Sequence, residues 1–282
     1  MRLGDRQLRG VCCSHLVIAD DPRAGLTGTL LLREMFSGPQ DLSWTDSATA
    51  TVVRMWEAFG GYLDHARSAD WMLVLRPARW LAAALSEGLR ERQLSRSVVP
   101  VAAFPAQAAG RHVVRRAFHP RPPWVRGRDA GPGAIAVALP SLSNGVSLRV
   151  EYDGPQLESL FGQVASVLGP LVTRLVVRGQ DPIGWYAYLS RPGGASRVLH
   201  LGAAPGEADA VLSELLDHAG AVGSAVVAGR AEPHLRQALE RRFAVLGYAR
   251  RPVVHTRDLE VRAVLATEAS LLSHLDGEWF AT

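Results

Sequence analysis

The apolar positions of the chain change period several times, and each change marks an element. Residues 10–18 (GVCCSHLVI) form a short β-branched run closed by Ala19-Asp20-Asp21-Pro22, which predicts a strand running into a turn. Over 26–36 the apolar side chains recur at helical spacing, and Ser37-Gly38-Pro39 stops the helix. A short strand is expected at 41–45. Asp46 or Ser47 is placed to cap a second helix carrying Val52, Val53, Met55, Trp56 and Phe59, which Gly60-Gly61 ends. A further strand is expected at 71–75. The order strand, loop, helix, strand, helix, strand predicts an α/β unit with helices packed on a sheet.

The next stretch is less regular. Residues 79–94 read as an Ala/Leu-rich helix, but 117–133 carry four prolines and few aliphatic side chains and read as an irregular connection. After it come a helix at 156–168 and strands at 171–177, 183–189 and 197–201. The turns Gly179-Gln180-Asp181-Pro182 and Arg191-Pro192-Gly193-Gly194 make these strands an antiparallel meander. Helices at 207–219, 234–246 and 259–275 then alternate with strands at 224–228 and 252–256, before the tail Asp276-Gly277-Glu278-Trp279-Phe280. The second half repeats the logic of the first. The expected organisation is a mixed-sheet α/β protein with a unit at 1–95, a connection at 96–150 and a related unit at 151–282.

Composition narrows the chemistry. A chain of 282 residues with 48% apolar and 21% charged positions is an ordinary globular protein, neither disordered nor a disulfide scaffold. All 31 basic residues are arginine, which excludes Schiff-base, P-loop and kinase-type lysine chemistry. A formal charge of +4 spread along the chain gives no nucleic-acid footprint. Cys12 and Cys13 are adjacent, a spacing that suits neither a zinc site nor a thioredoxin-type pair, so reduced core residues and no metal are expected. No window approaches the roughly 20 apolar residues of a membrane span, and Met1-Arg2-Leu3-Gly4-Asp5-Arg6 opens no signal peptide. A cytoplasmic protein without membrane contact is the expectation. Hydrolase, zincin, nucleotide triphosphatase and dinucleotide motifs are missing from the sequence.

What remains is Arg23-Ala24-Gly25-Leu26-Thr27-Gly28, between a strand end and the first turn of a helix. Free backbone N–H groups and the helix dipole favour an anion there, small residues let a diphosphate approach, and Arg23 adds charge. A plain glycine turn is the competing reading. The run HLVIADDPRAGLTGTLLLREMF followed by DLSWTDSATATVVRMWEAFGG resembles the central part of the GNAT superfamily of N-acetyltransferases. The resemblance implies that Arg23, Ala24, Gly25, Leu26, Thr27 and Gly28 cradle the diphosphate of acetyl-CoA as co-substrate. It also implies that Val17, Ile18 and Ala19 hydrogen-bond the pantetheine arm through their backbone, and that Thr49 occupies a position where the family often places a CoA-contacting Asn.

The departures are specific. Arg23 and Gly28 match the ends of the family loop, but Gly25 falls one place early and Leu26 stands where the middle glycine belongs. The family's frequent tyrosine acid falls on Trp56, which has no proton to give a thiolate. Only nine residues precede the strand at 10–18, so the first unit reads as N-terminally incomplete, with an exposed edge through which an oligomer can form. The second half is more loosely similar and has no Arg-led loop. Its polar candidates are Tyr186, Tyr188, His200, Arg230, Glu232, His255, Asp276 and Glu278. Glu232, after a predicted strand end, and Tyr186 are the catalytic candidates, the first weighed against a helix-capping or ion-paired carboxylate and the second against a packing role, and His200 reads as a core histidine. The resemblance implies acyl transfer from acetyl-CoA to the amine of a small molecule or peptide. The alternative is a catalytically silent CoA-binding or regulatory protein.

Overall fold

Short extended pieces open the chain. β1 (Arg2–Leu3) and β2 (Arg6–Gln7) pair as a hairpin around Gly4, whose φ of +56° suits a residue without Cβ. They lead to β3 (Gly10–Cys12), α1 (Ala24–Phe36), β4 (Leu42–Thr45), α2 (Ala50–Ala58), β5 (Tyr62–Leu63) and β6 (Asp70–Val74). Then come β7 (Val125–Asp129), α3 (Pro132–Leu142), β8 (Leu148–Arg149), α4 (Gly154–Leu168), β9 (Leu171–Arg178), β10 (Asp181–Leu189) and β11 (Ala195–Ala203). The last elements are α5 (Ala208–Ala221), β12 (Val226–Arg230), α6 (Arg236–Arg241), β13 (Val245–Gly247), β14 (Val253–His255), α7 (Leu259–Leu265) and β15 (Ser270–Leu271). This computed structural model describes residues 1–14, 24–80, 122–142, 145–248 and 250–279.

Among these residues the strands form three sheets: a seven-stranded one ordered β13-β6-β12-β11-β10-β9-β7, and two of four strands, β3-β4-β14-β5 and β15-β8-β1-β2. The large sheet is covered on both faces, as its strands require. Leu175, Trp185 and Leu199 turn toward α3 and α4, while Val176, Tyr186, Val198 and Leu201 turn toward α5.

The runs β3-α1-β4-α2-β5-β6 and β11-α5-β12-α6-β13-β14 follow one plan. Each begins with a parallel strand pair, β3 with β4 and β11 with β12. The final strand of each run then leaves its own sheet. β6 lies antiparallel between β12 and β13, and β14 lies antiparallel between β4 and β5. The donated β14 serves both faces of its host sheet: Val253 packs with Leu32, Phe36 and Trp56, and Val254 with Leu42 and Trp44. Burying each of these valines is worth roughly 1.5–3 kcal/mol.

The mixed α/β architecture and the meander expected from the sequence are present. Several local expectations are corrected. The stretch read as an irregular connection contains β7 and α3. β7 is polar because it is the sheet's edge strand, hydrogen-bonded only to β9. Thr49 caps α2, not Asp46 or Ser47, because those two side chains turn inward to charged partners. The helix expected at 234–246 ends at Arg241 and β13 follows, and the one expected at 259–275 ends at Leu265. The strand expected at 10–18 is β3 over its first three residues. Its residues 15–18, and nearly all of the helix at 79–94, lie outside the described residues.

Candidate functional site

The parallel pair β11 and β12 is hydrogen-bonded only from Ala195–Arg197 to Val226–Ala228, although β11 runs on to Ala203 and β12 to Arg230. Beyond Arg197 the two strands part. At that point β11 also bulges: Ala187 pairs with His200 and Tyr188 with Val198, leaving Leu199 without an opposite residue. A bulge frees backbone groups from the ladder and re-aims side chains. Farther along, the carbonyl of Leu201 meets no strand and instead accepts a hydrogen bond from His234 Nε2 at 3.0 Å. The neutral ring therefore carries its proton on Nε2, and burial holds its pKa below the ordinary value.

At the mouth of this parting lies a cavity of about 360 Å³, lined by Ala203, Pro205, Gly206, His234, Gln237 and Arg241 among others. Gly206 takes φ +79°, turning the chain sharply into α5. Arg241 Nη2 donates to Gln237 Oε1 at 2.7 Å and is exposed. Asp209, on the first turn of α5, is met by Arg242. Glu268 is a further wall residue.

A second, smaller cavity of about 40 Å³ shares Val146, Ala203 and Leu271 with the first. Its polar lining includes His200, Tyr152, Asp276 and Arg149. The His200 ring stacks on Trp185 at 3.8 Å. Its Nδ1 lies 2.9 Å from Ser273 Oγ, which donates to Asp276 Oδ2 at 2.7 Å, and Tyr152 donates to Asp276 Oδ1. His200 Nε2 is buried with no partner.

Between the β3–β6 and β11–β14 runs of elements lies a buried ionic cluster. Arg230 Nη1 is 2.5 Å from Asp46 Oδ1, and its Nε donates to Glu232 Oε1 at 2.7 Å. Arg67 binds the other oxygen of Glu232 at 3.1 Å and Asp64 at 2.8 Å. Glu278 accepts from Thr45, from Ser47 and from the Asp46 amide. Arg230 beside Asp46 outweighs desolvation and holds the Asp46 carboxyl below the usual carboxylate range.

The catalytic candidates sit apart from both cavities. Glu232 is locked between Arg67 and Arg230, and Tyr186 lies under α5 with its hydroxyl donating to Glu214 at 2.5 Å. Arg230 and Glu278 belong to the cluster, Tyr188 contacts His218, and His255 stacks on Phe36 at 4.1 Å. Trp56 is core, edge-on to Phe36. Of the residues tied to CoA by resemblance, Val17, Ile18, Ala19 and Arg23 lie outside the described residues. Ala24, Gly25, Leu26, Thr27 and Gly28 form the start of α1, where Gly28 is buried and Leu26 is 74% exposed. Thr49 accepts from the Val52 amide as the α2 cap. Sequence reasoning passed over His234 and Arg241, because no local motif distinguishes them from a turn residue and a helix-surface arginine. Among the described residues no group of three or more His, Cys, Asp or Glu side chains is placed to hold a metal, and no helix is long and apolar enough to cross a membrane.

Solved structures share the mixed α/β architecture of this chain. A GCN5-related N-acetyltransferase from Anabaena variabilis superimposes with a TM-score of 0.50 at 9% identity, over 85% of this chain and 52% of that one. One from Kribbella flavida gives 0.49 at 16% identity, over 90% and 54%. The chain has the fold of the Anabaena variabilis protein, and it spans about half the length of each of these two proteins. No protein-family model and no curated protein matches it.

Proposed function

We propose that the chain is an acyl-CoA-dependent N-acyltransferase whose donor lies in the parting between β11 and β12. The observation that carries this reading is the bulged end of β11, still paired with β10 but parted from β12, beside a cavity large enough for an extended ligand arm. Backbone groups released by the parting supply hydrogen bonds to a pantetheine-like arm and to a polarised thioester carbonyl. The backbone amides at the head of α5 and Arg241 favour the diphosphate of the donor, while Glu268 disfavours it on its own side of the cleft, and Asp209 on the first turn of α5 does so less because Arg242 pairs with it. The residues therefore fit CoA in one orientation. Bound there, the thioester supplies an activated acyl group, and the chain's task is to position an amine and accept its proton. A cytoplasmic location, where acyl-CoA is available, goes with this reading.

A second reading, a CoA-binding protein without turnover, draws support from Trp56 and from the hydrogen bonds that already occupy Glu232, Asp276 and Glu278. Titration calorimetry with acetyl-CoA, followed by assay of free thiol over an amine panel, separates the two. The expected result is binding that Arg241→Glu weakens at least tenfold, with amine-dependent thiol release. Binding without release favours the silent protein, and no heat at high micromolar acetyl-CoA removes both readings. Arg23→Glu, run in parallel, reports whether the first unit's loop binds a donor as well.

A further inference from the structure

The unpartnered nitrogen of His200 is the least explained polar atom beside the two cavities. Its ring is buried, and an acceptor left bare in that setting forfeits the hydrogen bond it made to water in the unfolded chain. A phenylalanine would fill the same space against Trp185 without that cost. The tautomer is fixed from behind: Ser273 gives its only proton to Asp276, so its oxygen accepts from His200 Nδ1–H, and the lone pair stays on Nε2. The β11 bulge turns His200 to the Trp185 side of the sheet, where it lines the smaller cavity.

The rest of that lining restricts what can meet the nitrogen. Leu139, Leu142, Val146, Val150 and Leu271 are apolar. Both oxygens of Asp276 are taken, by Tyr152 and by Ser273, and Arg149 contributes a positive charge to the wall. An ammonium ion finds no free carboxylate and meets a guanidinium. A neutral N–H donor finds a bare acceptor.

We propose that His200 is the acceptor-binding residue of the transferase, and that the small cavity takes a short amine that is uncharged at neutral pH, whose N–H donates to Nε2. The transfer step rests on the acyl-CoA reading above; the binding step does not. In transfer the amine lone pair forms the C–N bond to the thioester carbonyl and the C–S bond breaks with its electron pair on sulfur. The proton lost by nitrogen passes to Nε2 and from there to the departing thiolate. Ser273 and Asp276 are positioning residues that hold the ring, and Asp276 faces the imidazolium through Ser273. Burial and the neighbouring His234 push the His200 pKa down to about 3, so the ring stays neutral with its lone pair free for an N–H donor, and in transfer it relays the amine proton to the thiolate without holding it. Arg149 stands in the same cavity wall, and Tyr152 is engaged with Asp276.

The test uses 15N-labelled full-length protein and two amines of similar size, 2,2,2-trifluoroethylamine, mostly uncharged at pH 7.5, and propylamine, mostly ammonium. Two-bond imidazole spectra, assigned with His200→Gln, are expected to show a neutral Nδ1–H ring. Its Nε2 signal should move at millimolar trifluoroethylamine and respond at least tenfold more weakly to propylamine. An Nε2 that moves with neither amine, or equally with both, overturns the proposal, whatever the outcome with acetyl-CoA. If acetyl-CoA binds, His200→Gln should keep its affinity within twofold and lose about 100-fold in amine-dependent thiol release. Ser273→Ala should lose about tenfold, with the ring shifting toward the Nε2–H tautomer. Unchanged turnover in His200→Gln also sinks the assignment.

Discussion

At the scale of single residues, burial of histidine makes the fold acid-sensitive in a defined window. His274 receives a hydrogen bond from Arg197 on Nε2 and donates Nδ1–H to Asp46, and burial lowers its pKa to about 4. His200 lies lower still, at about 3. In the unfolded chain both titrate near their ordinary value of 6.5. Between that value and the folded ones the unfolded state holds protons that the folded state refuses. Stability is therefore complete above about pH 7 and falls as the pH drops through 6.5 toward 4, at up to roughly 1.4 kcal/mol per pH unit for each histidine. Asp276, whose pKa burial raises, acts in the opposite sense. Urea midpoints taken from pH 7.5 to 4.5 should decline, and the double variant His200→Gln, His274→Gln should decline less steeply. Equal slopes would show that the two rings are not the titrating groups.

At the scale of elements, β7 and α5 are fitted to each other through a missing side chain. A Cβ on Gly127 would stand 2.0 Å from Glu214 Oε1, and Glu214 is held by Tyr186 and Arg174. Gly127→Ala must displace a buried carboxylate from its donors, so a loss of about 1–3 kcal/mol is expected in chemical denaturation. Tyr186→Phe should cost less, and a wild-type midpoint for Gly127→Ala would show that Glu214 moves freely. This pairing also shows where the sequence stops being legible. The strands β9, β10, β11 and β12 announce themselves as nearly continuous apolar runs between turn residues, because both faces of those strands are buried. β7 (VRGRD) carries the composition of a loop, since its edge position exposes alternate side chains and its one glycine answers to a distant glutamate. The candidate site was legible to a similar degree. His200 and Asp276 could be picked out as polar residues near apolar strands, but Ser273, Arg149 and the bulge that aims the ring depend on contacts between segments far apart in the chain. Glu232 shows the converse: at a strand end it has the local appearance of a base as much as of an ion-paired carboxylate, and the fold supplies the partners, Arg67 and Arg230.

At the scale of the whole molecule, the exchange of β6 and β14 ties the two runs of elements into one cooperative unit. The pairing registers place Cys12 opposite Trp44 and Arg197 opposite Ala228, so Asp46 and Arg230, each two residues farther on, occupy equivalent points of the two runs. These two equivalent residues form the 2.5 Å ion pair at the junction. Arg230→Met would strand Asp46 and half of Glu232 in a buried setting, at an expected loss of about 3–5 kcal/mol, part of which Asp46→Leu should restore. The stronger consequence concerns the backbone. A chain ending after Trp80 keeps β6 but lacks the strand that completes β4 and β5. A chain starting at Pro122 keeps β14 but lacks the strand between β12 and β13. Each fragment exposes unpaired ladder groups on both sides of a gap, an aggregation-prone arrangement. Expressed alone, each should be insoluble or unfold without a cooperative transition. Expressed together, they should co-purify as a one-to-one complex that unfolds in a single transition, because each supplies the strand the other needs. Val254→Asp in the second fragment, which places a charge between Leu42 and Trp44, should abolish the association. Two fragments that fold separately, with sharp transitions of their own, would show that the exchanged strands are dispensable and that the halves are independent domains.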